Sequence, residues 1–137
     1  MPVTTIQLRV EGQGLHEFTR DVVSAMSTLE APKEGLATLF IQHTSASLTI
    51  QENADPSARR DLEAWLNRLV PENDALYTHT SEGPDDMPAH IKAALTATSL
   101  SIPILDHSLA LGTWQGIFLW EHRHHRGHRR ILMHVGT

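Results

Sequence analysis

Leu100-Ser101-Ile102-Pro103-Ile104, then Trp114-Gln115-Gly116-Ile117-Phe118-Leu119-Trp120-Glu121-His122, then Ile131-Leu132-Met133-His134-Val135 are the three stretches that decide the fold class. Leu100, Ile102 and Ile104 alternate with other residues, as do Ile131, Met133 and Val135. That is the period of two of a half-buried strand. The middle stretch, entered through Gly112-Thr113, also reads as a strand, and Gly127 marks a turn after it. Strands that cluster without intervening helices exclude a regular βαβ winding. The expectation is an α+β fold: a mostly antiparallel sheet or sandwich packed with two to three helices, in a single domain over 1–137.

Upstream, Val3 to Glu11 alternates with Ile6, Leu8 and Val10 on one face and predicts a strand, broken by Gly12 and Gly14. Phe18, Val22, Met26 and Leu29 recur at helical spacing and predict a helix over Leu15 to Leu29, with Pro32 and Gly35 in the turn beyond it. Leu36 to Gln42 is an apolar strand. His43-Thr44-Ser45-Ala46-Ser47 interrupts it, and Leu48-Thr49-Ile50 resumes as a second strand. Asp55-Pro56 reads as an N-cap followed by proline at the first helical position. Leu62, Trp65, Leu66 and Leu69 form that helix's expected buried stripe, and Pro71 ends it. Residues 71–87 read as a long loop, the kind that often carries function. Asp86 and Pro88 start a short helix with Ile91, Ala94 and Leu95 expected to face inward.

Composition narrows the function classes. The chain has 137 residues and no cysteine, which excludes disulfides, Cys-ligated zinc, iron–sulfur clusters and thiol catalysis. No apolar run approaches the ~20 residues of a membrane span. Met1 to Val10 lacks the layout of a signal peptide, so no membrane and a cytoplasmic location are expected. A net charge of −5 speaks against nonspecific nucleic-acid binding. Ten histidines are the unusual feature: protonating all of them would move the charge from −5 to +5. Such a content points toward a metal site or acid–base chemistry.

Several segments carry chemistry by residue type. The turn His43 to Ser47 offers hydroxyls and amides, with Thr44 and Ser45 placed to cradle an anion or to cap the turn. Glu52 at a strand end is a candidate general base, and Asn53 stands beside it. Trp114 is a core or interface anchor, or a stacking wall for a flat substrate with Gln115 reading its polar edge. The basic stretch Glu121 to Arg130 offers Arg123, Arg129 and Arg130 as phosphate grips, with Glu121 as a second candidate catalytic carboxylate.

Taken together, Gln42-His43-Thr44-Ser45-Ala46-Ser47-Leu48, Glu52-Asn53-Ala54-Asp55-Pro56, the His79 to Lys92 stretch, Ser99 to Ile104, Leu111-Gly112-Thr113-Trp114-Gln115-Gly116-Ile117, Glu121-His122-Arg123 and Arg129-Arg130 resemble the YjbQ family. This family is often described as secondary thiamine-phosphate synthase proteins. The resemblance implies an α+β fold assembled as a homotrimer. It also implies a His and acidic cluster holding a divalent metal, and weak joining of a pyrimidine diphosphate to a thiazole phosphate. His43, His79 and His90 match the family's motif histidines and are the expected metal ligands, zinc first and magnesium second. The expected partner is a small phosphorylated metabolite. The competing readings are a zinc-dependent hydrolase of a small metabolite, with Glu52 or Glu121 moving protons, and a non-catalytic trimeric metabolite- or metal-binding protein. The chain departs from the family pattern at His107 and in its ending, Met133-His134-Val135-Gly136-Thr137.

Overall fold

The computed structural model describes residues 2–137. The elements run β1 (Val3–Val10), β2 (Gly14–Glu17), α1 (Thr19–Ser27), β3 (Glu34–Ile41), β4 (Ala46–Glu52), α2 (Pro56–Leu69), α3 (Asp86–Leu95), β5 (Ser99–Leu105), β6 (Ser108–Leu109), β7 (Gln115–Glu121) and β8 (Gly127–Gly136). They make two antiparallel sheets, one ordered β1-β8-β3-β5-β6 and the other β2-β7-β4. The α+β expectation holds.

The two sheets share one core. Leu39 and Ile41 of β3 and Ile131 and Met133 of β8 pack with Leu48 of β4 and with Ile117 and Leu119 of β7; α1 adds Val22 and Met26, and Phe18 packs from the position just before it. Each such side chain, taken fully out of water, contributes about 1.5–3 kcal/mol. The alternate residues of β7, Phe118 and Trp120, turn to the other face of the smaller sheet and pack with Leu15, Leu66 and Val70. Strand β7 is therefore covered on both sides. Among the described residues no helix is long and apolar enough to cross a membrane.

Three local readings need correction. Gly14–Glu17 is a strand rather than the first turn of a helix: it pairs with β7 from Glu121 to Phe118, and the Phe18 amide donates to the Ile117 carbonyl at 2.8 Å. Tertiary pairing overrides the local helical spacing here, although Val22 and Met26 are buried as that spacing implies. On α2 the buried line is Leu66 with half-buried Leu62, while Trp65 is 52% exposed and Leu69 also faces solvent. The helix meets the sheet along one narrow stripe, and Trp65 lies a residue outside it. On α3 the buried residues are Asp86, Pro88, Ala89, Lys92 and Ala93, whereas Ala94 and Leu95 are exposed. That helix turns a partly polar face inward, which an apolar-periodicity argument cannot detect.

Strand β7 begins at Gln115, one residue after Trp114, which is 65% exposed. Strand β6 went unread from the sequence. It forms a hairpin with β5 through Asp106 and His107, both left-handed at φ 53° and 67°. The usual signal for a two-residue hairpin with positive φ at both positions is Asn-Gly or Asp-Gly; here His107 stands where the glycine would be, so only half of the signal is present.

Candidate metal centre

The register of β4 with β7 sorts the chemically interesting residues into two groups. Ala46 pairs with Glu121 at one end and Glu52 with Gln115 at the other. Six steps of about 3.3 Å put these ends roughly 20 Å apart.

At the first end, α3 supplies Asp86 and His90 one turn apart, and the preceding loop supplies His79. Residues four apart on a helix stand on one face. Asp86 is buried, and its Oδ2 lies 2.8 Å from His79 Nε2 and 3.2 Å from His90 Nε2. The candidate ligand atoms of all three residues lie within 4.8 Å of one another. Its other oxygen, Oδ1, faces Arg123 Nη1 at 3.4 Å.

The tautomer of His90 follows from its neighbour. His90 Nδ1 lies 3.0 Å from the Thr44 carbonyl oxygen. A carbonyl only accepts, so Nδ1 carries the proton and donates. The Nε2 lone pair of the neutral ring then points at a carboxylate oxygen, an arrangement satisfied only with a proton or a cation between them. Imidazole donating its second nitrogen to a backbone carbonyl is how metal-bound histidine is normally held. Zinc bonds of about 2.0–2.2 Å at tetrahedral angles separate donor atoms by about 3.3 Å. Two imidazoles and one carboxylate in this arrangement fit a divalent ion of the zinc type.

Arg123 is committed to the same loop. Its Nη2 donates to the Glu82 carbonyl oxygen at 2.7 Å and to Asp85 Oδ1 at 3.2 Å, and the His124 amide donates to Asp85 Oδ2 at 2.9 Å. Burial works to raise the Asp85 carboxyl, but these hydrogen bonds and the Arg123 charge outweigh it and hold it below the usual range. The Arg123 guanidinium is pushed up by the same contact. Arg123 thus braces the two acids at the start of α3.

His43 sits nearby but outside the three-residue group. Its Nε2 accepts the Arg130 amide at 2.9 Å and its Nδ1 lies 3.2 Å from Arg129 Nη1. Burial first, and the Arg129 charge next, depress its pKa. Thr44 contributes its backbone carbonyl rather than its hydroxyl to the centre. Ser45 Oγ accepts from Arg129 Nη2 at 2.9 Å. Arg129 also donates from Nε and Nη2 to the two oxygens of Glu121, both at 2.6 Å. Glu121 is fully buried and accepts the Arg123 amide as well. Both charged groups are engaged in holding the strand ends together. Arg130 is exposed, and it is its backbone amide that meets His43.

The remaining candidates stand at the far end. Glu52 Oε2 accepts the Asp55 amide at 3.1 Å, and Asp55 Oδ1 accepts the Ser57 amide at 2.9 Å, capping α2 as its position implies. The Asn53 side-chain amide donates to Glu17 Oε2 at 3.0 Å. Gln115 Oε1 accepts the Gly112 amide at 2.7 Å, and exposed Trp114 accepts the Asn53 amide on its carbonyl. Within one chain these residues do not join the histidines. Asp85 and Asp86 are the residues sequence reasoning missed as site members. The four-residue spacing of Asp86 and His90 was the available signal.

Comparison with known proteins bears on the family and the fold. The family model described as UPF0047 protein YjbQ-like matches residues 4–137. A UPF0047 protein of Synechocystis sp. is 50% identical over 128 residues, covering 93% of this chain and 86% of that protein. The UPF0047 protein YjbQ of Salmonella typhimurium is 46% identical over 128 residues, covering 93% and 92%. The crystal structure of a YjbQ/UPF0047-family protein from Clostridium acetobutylicum superposes with a TM-score of 0.83 at 32% identity, covering 99% of this chain and all of that one. A protein from Aeropyrum pernix, 22% identical, shares the fold with a TM-score of 0.88 over the full length of both chains. With a family model matched along nearly its whole length and relatives at this identity, the chain belongs to the YjbQ/UPF0047 family.

Proposed function

We propose that the chain holds one divalent cation, zinc by its donor set, on His79, Asp86 and His90, and that this centre acts on a small phosphorylated metabolite. The observation that supports the reading is the pair of imidazole nitrogens converging on one buried carboxylate oxygen, with His90 oriented by the Thr44 carbonyl. A bound cation would supply Lewis acidity toward phosphate oxygens and neutralise a leaving diphosphate. Asp86 would carry the compensating charge, and Arg123 would hold Asp86 in place. A pocket of about 570 Å³, with Phe40 and Ile41 on its apolar side and His43, Thr44, Ser45 and Arg129 on its polar side, lies on the Thr44 side of the centre, and that polar side would take the phosphate end of a ligand. The reaction implied by the family resemblance fits this division of labour: joining a pyrimidine diphosphate to a thiazole phosphate with release of diphosphate.

The test is metal content of untagged protein by mass spectrometry. Near one zinc per chain is expected in the parent, with little in His79→Ala/His90→Ala or in Asp86→Asn. His43→Ala should keep its metal. Equal metal in the parent and in Asp86→Asn would sink the reading. Stoichiometric metal without turnover of diphosphate substrates would leave a binding protein instead of an enzyme.

We also propose that further copies of the chain, three in all, cover the outer face of the larger sheet. Leu36, Phe40 and Leu105 stand exposed on that face, Phe40 at 47%. Apolar sheet faces of this kind are usually covered by a partner. Sedimentation equilibrium should give three times the 15.3 kDa chain mass, and Phe40→Glu should lower it. A monomeric parent would refute the assembly.

A further inference from the structure

We propose that the cavity on the His79 side of the centre is a binding site for a small organic amine, selected by Asp74 against anions of the same shape. The inference rests on the metal-centre reading for the cavity's role, but not for its occupant.

The cavity measures about 320 Å³ and is built from one continuous stretch of chain, Asn73 to Met87. That volume is at the lower end for small-molecule sites. His79 forms the wall toward the centre, and its side chain is half-exposed, so a ligand in the cavity reaches the metal-ligating imidazole directly. Pro84, Met87 and Tyr77 give it an apolar side. The Tyr77 hydroxyl is turned away, donating to the Pro71 carbonyl at 2.9 Å. Thr80 and Asp74 give it a polar side.

The charge of the lining sets the ligand class. Among the described residues no lysine or arginine lines the cavity. Asp74 is half-buried, its Oδ1 accepts the Leu76 amide at 2.9 Å, and among the described residues no cationic side chain stands within ion-pair distance of it. A phosphate or carboxylate placed here would meet an uncompensated negative charge. A protonated amine would neutralise it through a charge-assisted hydrogen bond, while its carbon body covers Met87 and Pro84. The ligand is thus divided: the amine-bearing body lies here, and any anionic group lies at the centre or beyond it.

Tyr77 is the sole tyrosine of the chain, so 3-fluorotyrosine labelling gives one ¹⁹F resonance at the cavity wall. The probes are benzylamine and benzoate, nearly the same shape with opposite charge, titrated against the full-length protein with and without zinc. Benzylamine is expected to shift the resonance saturably in both forms, and benzoate to bind at least about fivefold more weakly to the zinc-free form. Asp74→Asn keeps the acceptor for the Leu76 amide and removes only the charge, so the turn should survive. It should weaken benzylamine at least about fivefold, the difference between a charged and a neutral hydrogen bond. Equal affinity of the zinc-free form for the two probes, no saturable shift with benzylamine, or an unchanged benzylamine affinity in Asp74→Asn would overturn the proposal. The parent comparison needs no variant and decides the matter even if Asp74→Asn fails to fold. Zinc content is read separately. Amine binding without zinc binding would remove the metal centre and leave this site, and the reverse would remove only this site.

Discussion

Replacing Glu121 by Gln separates a catalytic role from a structural one. Glu121 is fully buried, both of its oxygens meet the guanidinium of Arg129 at 2.6 Å, and Arg129 is itself only 8% exposed. The Ser45 hydroxyl and the Arg123 amide complete the network. Glu121→Gln leaves the Arg129 charge buried without its counter-charge, and breaking such a pair costs about 3–5 kcal/mol. For a chain of this length a kcal/mol moves Tm by roughly 3–4 °C, so a fall of roughly 10–20 °C is expected. The assay is reversible thermal unfolding followed by circular dichroism, with urea unfolding as a second measure. The companion variant Glu121→Leu/Arg129→Met removes both charges and should recover a large part of the loss, because a buried pair is worth little against well-packed apolar groups. If Glu121→Gln unfolds within about 1 kcal/mol of the parent while any activity disappears, the bracing argument fails and Glu121 returns as a proton-transfer residue.

Two further outcomes follow from the packing. His122 is buried, and burial, followed by the charges of Lys92 and Arg129, pushes its pKa from 6.5 down to about 3. Above pH 6.5 the ring is neutral folded or unfolded. Below it the unfolded chain takes up a proton that the folded chain refuses, so stability falls as pH drops from 6.5 toward 3. By pH 4.5 the loss from this one group is roughly 2–3 kcal/mol. Urea unfolding at pH 7.5 and 4.5 should show that loss in the parent and much less of it in His122→Gln; equal losses would contradict the assignment. At Gly35, a β-carbon would collide with the carbonyl oxygen of Gly136 on the neighbouring strand, backbone that cannot swing aside. Gly35→Ala should therefore cost at least about 2 kcal/mol in the same assay, and a neutral result would mean that β3 and β8 sit further apart than described.

The strands and the caps were legible because their causes are local. Ile131, Met133 and Val135 alternate because one face of β8 is buried, and Asp55-Pro56 starts α2 because its carboxylate takes the Ser57 amide. The fold class follows from the order of such segments, and the motifs from His43 to Arg130 were enough to identify the family. The centre was less legible. His79 and His90 were singled out, but their partner Asp86 looked like an ordinary helix-starting residue. Glu121 and Arg129 looked free for chemistry until β7 and β8 placed them against each other. Glu52, Trp114 and Gln115 read as neighbours of the site in the sequence motifs, yet strand geometry carries them to the opposite end of the smaller sheet. Gly14–Glu17 became a strand because β7 offered hydrogen bonds that a short helical turn could not match.

What the amino-acid order determined by itself is whatever depends on spacing along the chain: which faces are apolar, where turns fall, and which residues are chemically able to bind a metal. What only the tertiary structure decided is which of those residues meet. Side chains 7 to 86 positions apart are brought within hydrogen-bond reach by sheet register and by the docking of α3, and these depend on long-range packing of the whole core.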